Sequence, residues 1–207
     1  MNSTGIVRIT QQYLDAVNDP YPGESTTGLS NPNAFLGQVG AYLILNEGDA
    51  IKFSSATGIG LHAGVYQYVQ FVSTSTASNV AGGPVFWVTP AASGSTTASY
   101  VVTPDVPSGY VGFAGASLNA VTKGNYGFIL VEGFLNAAAL GTITKGTPAA
   151  GDVMFLTATA GGFDDPTTAS LTTVTFAQVA GQWLVAPATG TANTLGYIRG
   201  QKLAAVA

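Results

Sequence analysis

Short runs rich in Val, Tyr, Phe and Thr recur along this chain, and Gly, Pro or Asn punctuates them before a helix of ordinary length could form. Candidate strands are Ala41 to Leu45, Ala50 to Ser54, Tyr66 to Thr74, Pro84 to Thr89, Tyr100 to Pro104, Tyr110 to Leu118, Tyr126 to Glu132, Asp152 to Ala158, Leu171 to Val179, Trp183 to Ala186 and Thr194 to Lys202. That spacing predicts an all-β fold, an antiparallel sandwich or barrel of jelly-roll-like kind.

Ahead of the strands the pattern changes. Thr10 to Val17 is the one helical stretch, with Ile9, Tyr13, Leu14 and Val17 approximating a single face over two turns. From Asn18 to Asn33 the sequence reads NDPYPGESTTGLSNPN, and Pro20, Pro22, Gly23, Gly28 and Pro32 prevent any regular element. An extended arm and an ordinary surface loop both fit that composition. The expected organisation is an N-terminal arm with one short helix over 1–37 and a β domain over 38–207, with a subdivision near residue 135 left open. Gly83-Pro84-Val85-Phe86-Trp87 and Gly151-Asp152-Val153-Met154-Phe155 echo one another faintly, which shared strand-starting chemistry explains as well as duplication does.

Charged residues make up 8% of the 207 residues, about a third of the roughly 25% usual in a soluble domain. Thr, Ser, Gly, Ala and Asn stand where Lys and Glu would, and covering such side chains forfeits little hydration or rotamer entropy. A subunit of an assembly has that economy; so does a plain β domain with an uncharged polar exterior. Val85-Phe86-Trp87-Val88 and Phe128-Ile129-Leu130-Val131 are apolar on both faces, which predicts cover on both sides. With only one helix available, a neighbouring subunit is the simpler expected source of the second cover.

Six basic and ten acidic residues give a net charge of −4, and no Lys/Arg cluster exists to track a phosphate backbone, so nucleic acid is not an expected partner. Absence of cysteine removes disulfides, thiolate catalysis and thiolate metal sites. Met1 to Pro20 lacks the basic region and apolar run of a secretory signal, and no stretch reaches the length of a membrane helix. No membrane partner is expected.

Residues with chemical potential are few. His62, the one histidine, sits in Gly60-Leu61-His62-Ala63-Gly64 without a G-x-S-x-G elbow elsewhere, and reads as a loop residue rather than a base. Asp164-Asp165 could contribute oxygens to calcium but lack the spaced D-x-D-x-D-G order, so the string reads as a solvated turn. Glu47-Gly48-Asp49 reads as an acidic tight turn between two strands. Gly58-Ile59-Gly60 matches neither phosphate-loop spacing. Trp87 and Trp183 could form a sugar-stacking platform, but their apolar surroundings favour the core. No catalytic residue, cofactor or metal is expected.

The most characteristic stretch is Gly109 to Gly133, GYVGFAGASLNAVTKGNYGFILVEG, which encodes a hairpin: strand Tyr110 to Leu118, a turn at Thr122-Lys123-Gly124-Asn125, then strand Tyr126 to Glu132. Gly124 and Asn125 suit positive φ in the turn; Gly112, Gly115 and Gly127 suit places where another backbone or a large ring lies close. The segment resembles one in small structural proteins of tailed bacteriophages, with a G-V-x-L-N-x-V-T-x-G-N-Y-G-x-I-x-V-x-G pattern. The matching positions are Gly115, Leu118, Asn119, Val121, Thr122, Gly124, Asn125, Tyr126, Gly127, Ile129, Val131 and Gly133. The lead-in from Tyr68-Val69-Gln70-Phe71-Val72 to Val102-Thr103-Pro104-Asp105 looks similar as well, so the resemblance covers about Tyr66 to Gly133.

That resemblance implies a non-enzymatic virion component: a capsid decoration, or cement, protein on the capsid exterior, assembled in the host bacterial cytoplasm. Its expected partners are the major capsid protein and further copies of itself, a homotrimer ahead of a homodimer. The N-terminal arm is expected to lie over the capsid, anchored by Tyr21, Leu29, Phe35 and Leu36. The alternative is a receptor- or glycan-binding module of a head fibre or tail spike, with exposed aromatics in a groove; a hydrolase built on His62 comes third.

Overall fold

The computed structural model describes residues 40, 42–51, 61–88, 100–107, 112–136, 143–144, 149–156, 161–164, 179–185 and 195–200. Eleven strands lie among them: β1 Tyr42–Leu45, β2 Gly64–Phe71, β3 Pro84–Trp87, β4 Val101–Thr103, β5 Phe113–Ser117, β6 Tyr126–Asn136, β7 Ile143–Thr144, β8 Val153–Leu156, β9 Gly162–Asp164, β10 Val179–Trp183 and β11 Leu195–Arg199. The described residues are mostly β-strand, in keeping with the all-β character that the punctuated runs predict.

Strands β2 and β6 form an antiparallel spine, in register from Gly64↔Gly133 to Gln70↔Tyr126. Each is long enough to carry two different neighbours on its outer edge. Along β2, β1 covers Gly64 to Gln67, and β4 then pairs in parallel with Gln70 and Phe71. Along β6, β5 covers Ile129 and Leu130, and β11 then covers Glu132 to Asn136. Because β3 joins β4 to β5, the strands β2-β4-β3-β5-β6 close into a five-stranded barrel, which leaves no free edge within the ring. At its other end the spine belongs to an open sheet, β1-β2-β6-β11-β10-β8-β9-β7.

The change of neighbours happens at one bulge. Val65 faces Glu132 but Tyr66 faces Leu130, so Val131 is an extra residue in β6. Its carbonyl accepts the N–H of Gly200 at 2.6 Å, just beyond β11. Backbones converge here so tightly that side chains are excluded: a Cβ on Gly115, which holds φ +151°, would run into the Leu130 carbonyl, and one on Gly133, at φ +138°, would sit 2.6 Å from Gly64 Cα. Gly112 and Gly127 lie, as expected, against Trp87 and the Phe71 ring. In the turn, the N–H of Asn125 donates to Thr122 O and Gly124 takes φ +86°.

Alternation along the ring strands divides their side chains between two cores. Val69, Phe71, Val85, Trp87, Val102, Ala114, Ile129 and Val131, drawn from all five ring strands, fill the barrel, with Val121 packed against them. Residues of opposite parity, including Tyr66, Tyr68, Phe86, Phe113, Phe128 and Leu130, pack instead with Leu43, Leu135, Met154, Phe163, Trp183 and Ile198 of the open sheet. Phe113 meets Phe163 edge-on at 6.2 Å, and Phe163 meets Trp183 the same way at 6.5 Å. Each such side chain contributes about 1.5–3 kcal/mol by leaving water. This corrects the expectation drawn from the two-sided strands. Both faces around Trp87 and Phe128 are covered by the chain itself: Trp87 fills the inside of the barrel, and Phe128 packs on its outside against the open sheet.

Three further expectations change. Ala50 to Ser54 does not begin as a strand: residues 47–51 form a helical turn, with Asn46 Oδ1 accepting the N–H of Asp49 at 2.9 Å as an N-cap. The strand placed at Trp183 to Ala186 lies earlier, ending at Trp183, whose N–H donates to Asp152 O. Asp164 is not in a turn; its backbone pairs with Phe155 in β9, because buried Phe163 must lie beside β8. The expected helix Thr10 to Val17, the arm over 1–37 and most of Leu171 to Val179 fall outside the described residues.

Replacing Gly115 by Ala is expected to cost about 3 kcal/mol, the combined scale of a strained backbone and an overpacked contact. The urea midpoint should fall accordingly; an unchanged midpoint would mean that β5 and β6 do not approach so closely.

Candidate functional site

The open sheet packs one face on the core and turns the other to solvent, and the pairing registers identify what that outer face carries. Ile44, Val65, Glu132 and Arg199 lie directly opposite one another across β1, β2, β6 and β11. One step along the strands, Phe134, Tyr197, Gln182 and Val153 do the same across β6, β11, β10 and β8. Tyr42, opposite Gln67 and two residues before Ile44 on β1, points to the same side; it is 52% exposed and Ile44 73%. Arg199 and Gln182 are exposed, while Val65, Glu132, Phe134 and Tyr197 are half-buried.

At the centre of this face the side chains interlock. The rings of Phe134 and Tyr197 meet edge-on at 5.5 Å, and the Tyr197 hydroxyl donates to Glu132 Oε1 at 3.3 Å. Burial, then the neighbouring Glu132 charge, pushes the Tyr197 phenol up. Arg199 forms no ion pair among the described residues. Among the described residues strand β1 ends the sheet, and its Tyr-Leu-Ile-Leu carries none of the charges or prolines that usually blunt such an edge.

His62 stands at one rim. Its Nδ1–H donates to Glu47 Oε1 at 2.8 Å, the Ala63 N–H donates to Glu47 Oε2 at 2.8 Å, and Asn136 Nδ2 lies 3.4 Å from His62 Nε2. Tyr66 OH donates to His62 O at 2.6 Å, and the Phe134 N–H donates to Ala63 O. The cluster therefore ties the turn after β1 to the start of β2 and the end of β6. The Ala63 N–H and then His62 hold the Glu47 carboxyl below its usual range, while burial pushes the Tyr66 phenol up. Among the described residues no Ser or Thr hydroxyl bonds to His62 or Glu47; the geometry is that of a clasp. Asp105 plays a similar part between the segments that follow the neighbouring strands β4 and β2. Burial alone would raise its pKa, but N–H donors from Ala77 and Thr76 and the Thr76 hydroxyl outweigh it and hold it low.

The structure separates the remaining candidates. Trp87 and Trp183 are buried, 8% and 0% exposed, in the two cores. Glu47 and Asp49 belong to the helical turn, where Asp49 Oδ2 accepts from Asn46 Nδ2. Tyr21, Leu29, Phe35, Leu36, Gly58-Ile59-Gly60 and Asp165 lie outside the described residues. Among the described residues no three of His, Cys, Asp and Glu come together, and no helix is long and apolar enough to cross a membrane. The outer face itself was not singled out in the sequence. Its signal was the alternation in Glu132-Gly133-Phe134-Leu135-Asn136 and Leu195-Gly196-Tyr197-Ile198-Arg199, the first of which Gly133 disguised as a strand end.

No protein-family model and no curated protein matches this chain.

Both clasp carboxyls are held below their unfolded values of 4.5 for Glu47 and 3.8 for Asp105. Depressed folded values add stability that is present above those pH values and lost as pH falls through the folded ones. Thermal melts should therefore show an acid-side loss below about pH 4.5, and Glu47→Gln with Asp105→Asn should flatten it; an unaltered acid limb in the double variant would contradict the assignment.

Proposed function

We propose that the chain is a non-enzymatic virion structural protein, a capsid decoration subunit that binds the outer capsid surface and stabilises the shell. The observation that carries this reading is the outer face of the open sheet across β1, β2, β6, β11, β10 and β8: a surface of apolar and aromatic side chains with Gln182, Glu132 and Arg199 among them, beside two cores that are packed without it. A surface of that kind is suited to meeting protein. The phage-like hairpin supports the same reading, since β5, β6 and the Gly124 turn hold its signature residues together.

In this role the mechanism is linkage. A ligand that binds only the assembled shell stabilises it by mass action, and repetition around a lattice multiplies modest interfaces. No chemical step is required, which suits the use of His62 and Glu47 as a clasp. The N-terminal arm with its short helix, the jelly-roll-like completion of the body, the anchors Tyr21, Leu29, Phe35 and Leu36, and the capsid exterior as location all belong to this proposal. Strand addition to a capsid sheet edge is the mode proposed for the arm, with main-chain hydrogen bonds giving affinity and alternate side chains giving register. The glycan-binding alternative loses its two largest candidate platforms, because Trp87 and Trp183 are core residues.

Deleting Met1 to Leu36 should abolish occupancy of purified capsid shells, measured by co-sedimentation, while far-ultraviolet circular dichroism shows the β domain still folded. Full occupancy by the truncated protein would overturn the arm's role.

A further inference from the structure

We infer that the His62 clasp is a pH-driven exchange of partners: at neutral pH the imidazole joins the helical turn 47–51 to the end of β6, and on protonation it keeps the turn and lets the strand end go. The device is independent of the decoration role.

Hydrogen-bond chemistry admits one arrangement of the neutral ring. Glu47 offers carboxylate oxygens, which only accept, so the 2.8 Å contact with Oε1 fixes the ring proton on Nδ1. Nε2 is then an acceptor, and the amide 3.4 Å from it must present its N–H groups, as Asn136 Nδ2 does. A second proton turns Nε2 into a donor as well. Two donors then face each other across that gap, and the link to Asn136 is lost. The link to Glu47 changes in the opposite sense, because an imidazolium donating to a carboxylate makes a charge-assisted bond, stronger than the neutral one. Histidine is the side chain whose ordinary charge change falls between pH 5 and 8.

The surroundings let that exchange proceed. The His62 side chain is 29% exposed, so a proton reaches it from solvent without unfolding. Glu47 stays ionised at pH 5, since the Ala63 N–H and then His62 hold its carboxyl below the usual range. From β2, the Tyr66 phenol, pushed up by burial, donates to His62 O at either pH. On the helical turn the other carboxylate is Asp49, which accepts from Asn46 Nδ2. β1 brings no charged side chain. On β6 and β11 the nearest charges are Glu132, to which Tyr197 is bonded, and Arg199. They stand four residues from the Asn136–Leu195 pair, about 13 Å along the strands and beyond a Debye length at physiological salt.

What is released is small and defined. The Phe134 N–H still donates to Ala63 O, and Gly133 still lies against Gly64, so β6 remains joined to β2 as far as Phe134 in both states. Asn136 is the last residue of β6, opposite Leu195 at the start of β11. Strand ends are where local opening begins, and this one is the element that the charge on His62 biases.

Amide hydrogen exchange of the full chain, followed by NMR at pH 8 and pH 5 and corrected for intrinsic rates, tests the device at Leu135 and Gly196, which lie opposite one another beside the strand ends. Their protection should fall about 2- to 10-fold on acidification, the worth of one net hydrogen bond, while Gly133 and Ile198 keep theirs. Ring nitrogen shifts should show the Nδ1–H tautomer of His62 at pH 8. Asn136→Asp should reverse the sign, since a carboxylate accepts from the protonated Nε2, and protection at the two amides should then rise on acidification. His62→Gln should make both amides indifferent to this change of pH. Unchanged wild-type protection, as an amide that turns its oxygen toward Nε2 would give, the Nε2–H tautomer at pH 8, or an Asn136→Asp chain that loses protection as the wild type does would each overturn the inference.

Discussion

Strands β2 and β6 each hold two different neighbours on a single edge, and everything else in the molecule depends on that sharing. The spine closes a barrel at one end with β4 and β5, and opens into a sheet at the other with β1 and β11. Backbones can be exchanged in so little space only where side chains are missing. Gly64 against Gly133, Gly115 against Leu130 and Gly200 against Ala114 supply those points, and the extra residue Val131 turns the strand between them. One chain thus builds two cores on the two faces of the same strands.

Much of the fold was legible in the sequence because strand chemistry is local. The runs at Tyr42, Tyr66, Pro84, Val101, Phe113, Tyr126, Val153 and Leu195 contain their strands, and the turn at Gly124 sits where its residues allow positive φ. What failed was non-local. Gly133 reads as a breaker, yet in β6 it is the contact point that lets the strand continue to Asn136. Phe128-Ile129-Leu130-Val131 reads as a strand short of cover, and the source of cover, the open sheet reaching around to Phe113 through Phe163 and Trp183, cannot be seen in a periodicity.

The surface was less legible than the core. Alternation in Tyr42-Leu43-Ile44-Leu45 shows that one set faces in, but all four residues are apolar, so nothing in the string says which. The pairing of Glu132 with Arg199 joins residues on different strands and appears only with the register. His62 gave a clear negative, no companion nucleophile by motif, but its positive role needed Glu47, Ala63 and Asn136 to be brought to it from three directions.

Scarcity of charge therefore acts at a different place from the two-sided strands around Trp87 and Phe128. Those strands are satisfied internally, and the sparsely charged surface that remains is the outer sheet face, where apolar and aromatic groups stand around Glu132 and Arg199. The central claim, that this surface serves an assembled shell, is tested most directly by quantitative mass spectrometry of purified virions. The account predicts the chain at a fixed, lattice-scale ratio to the major capsid protein; its absence from virions, or its presence at only a few copies per particle, would contradict it.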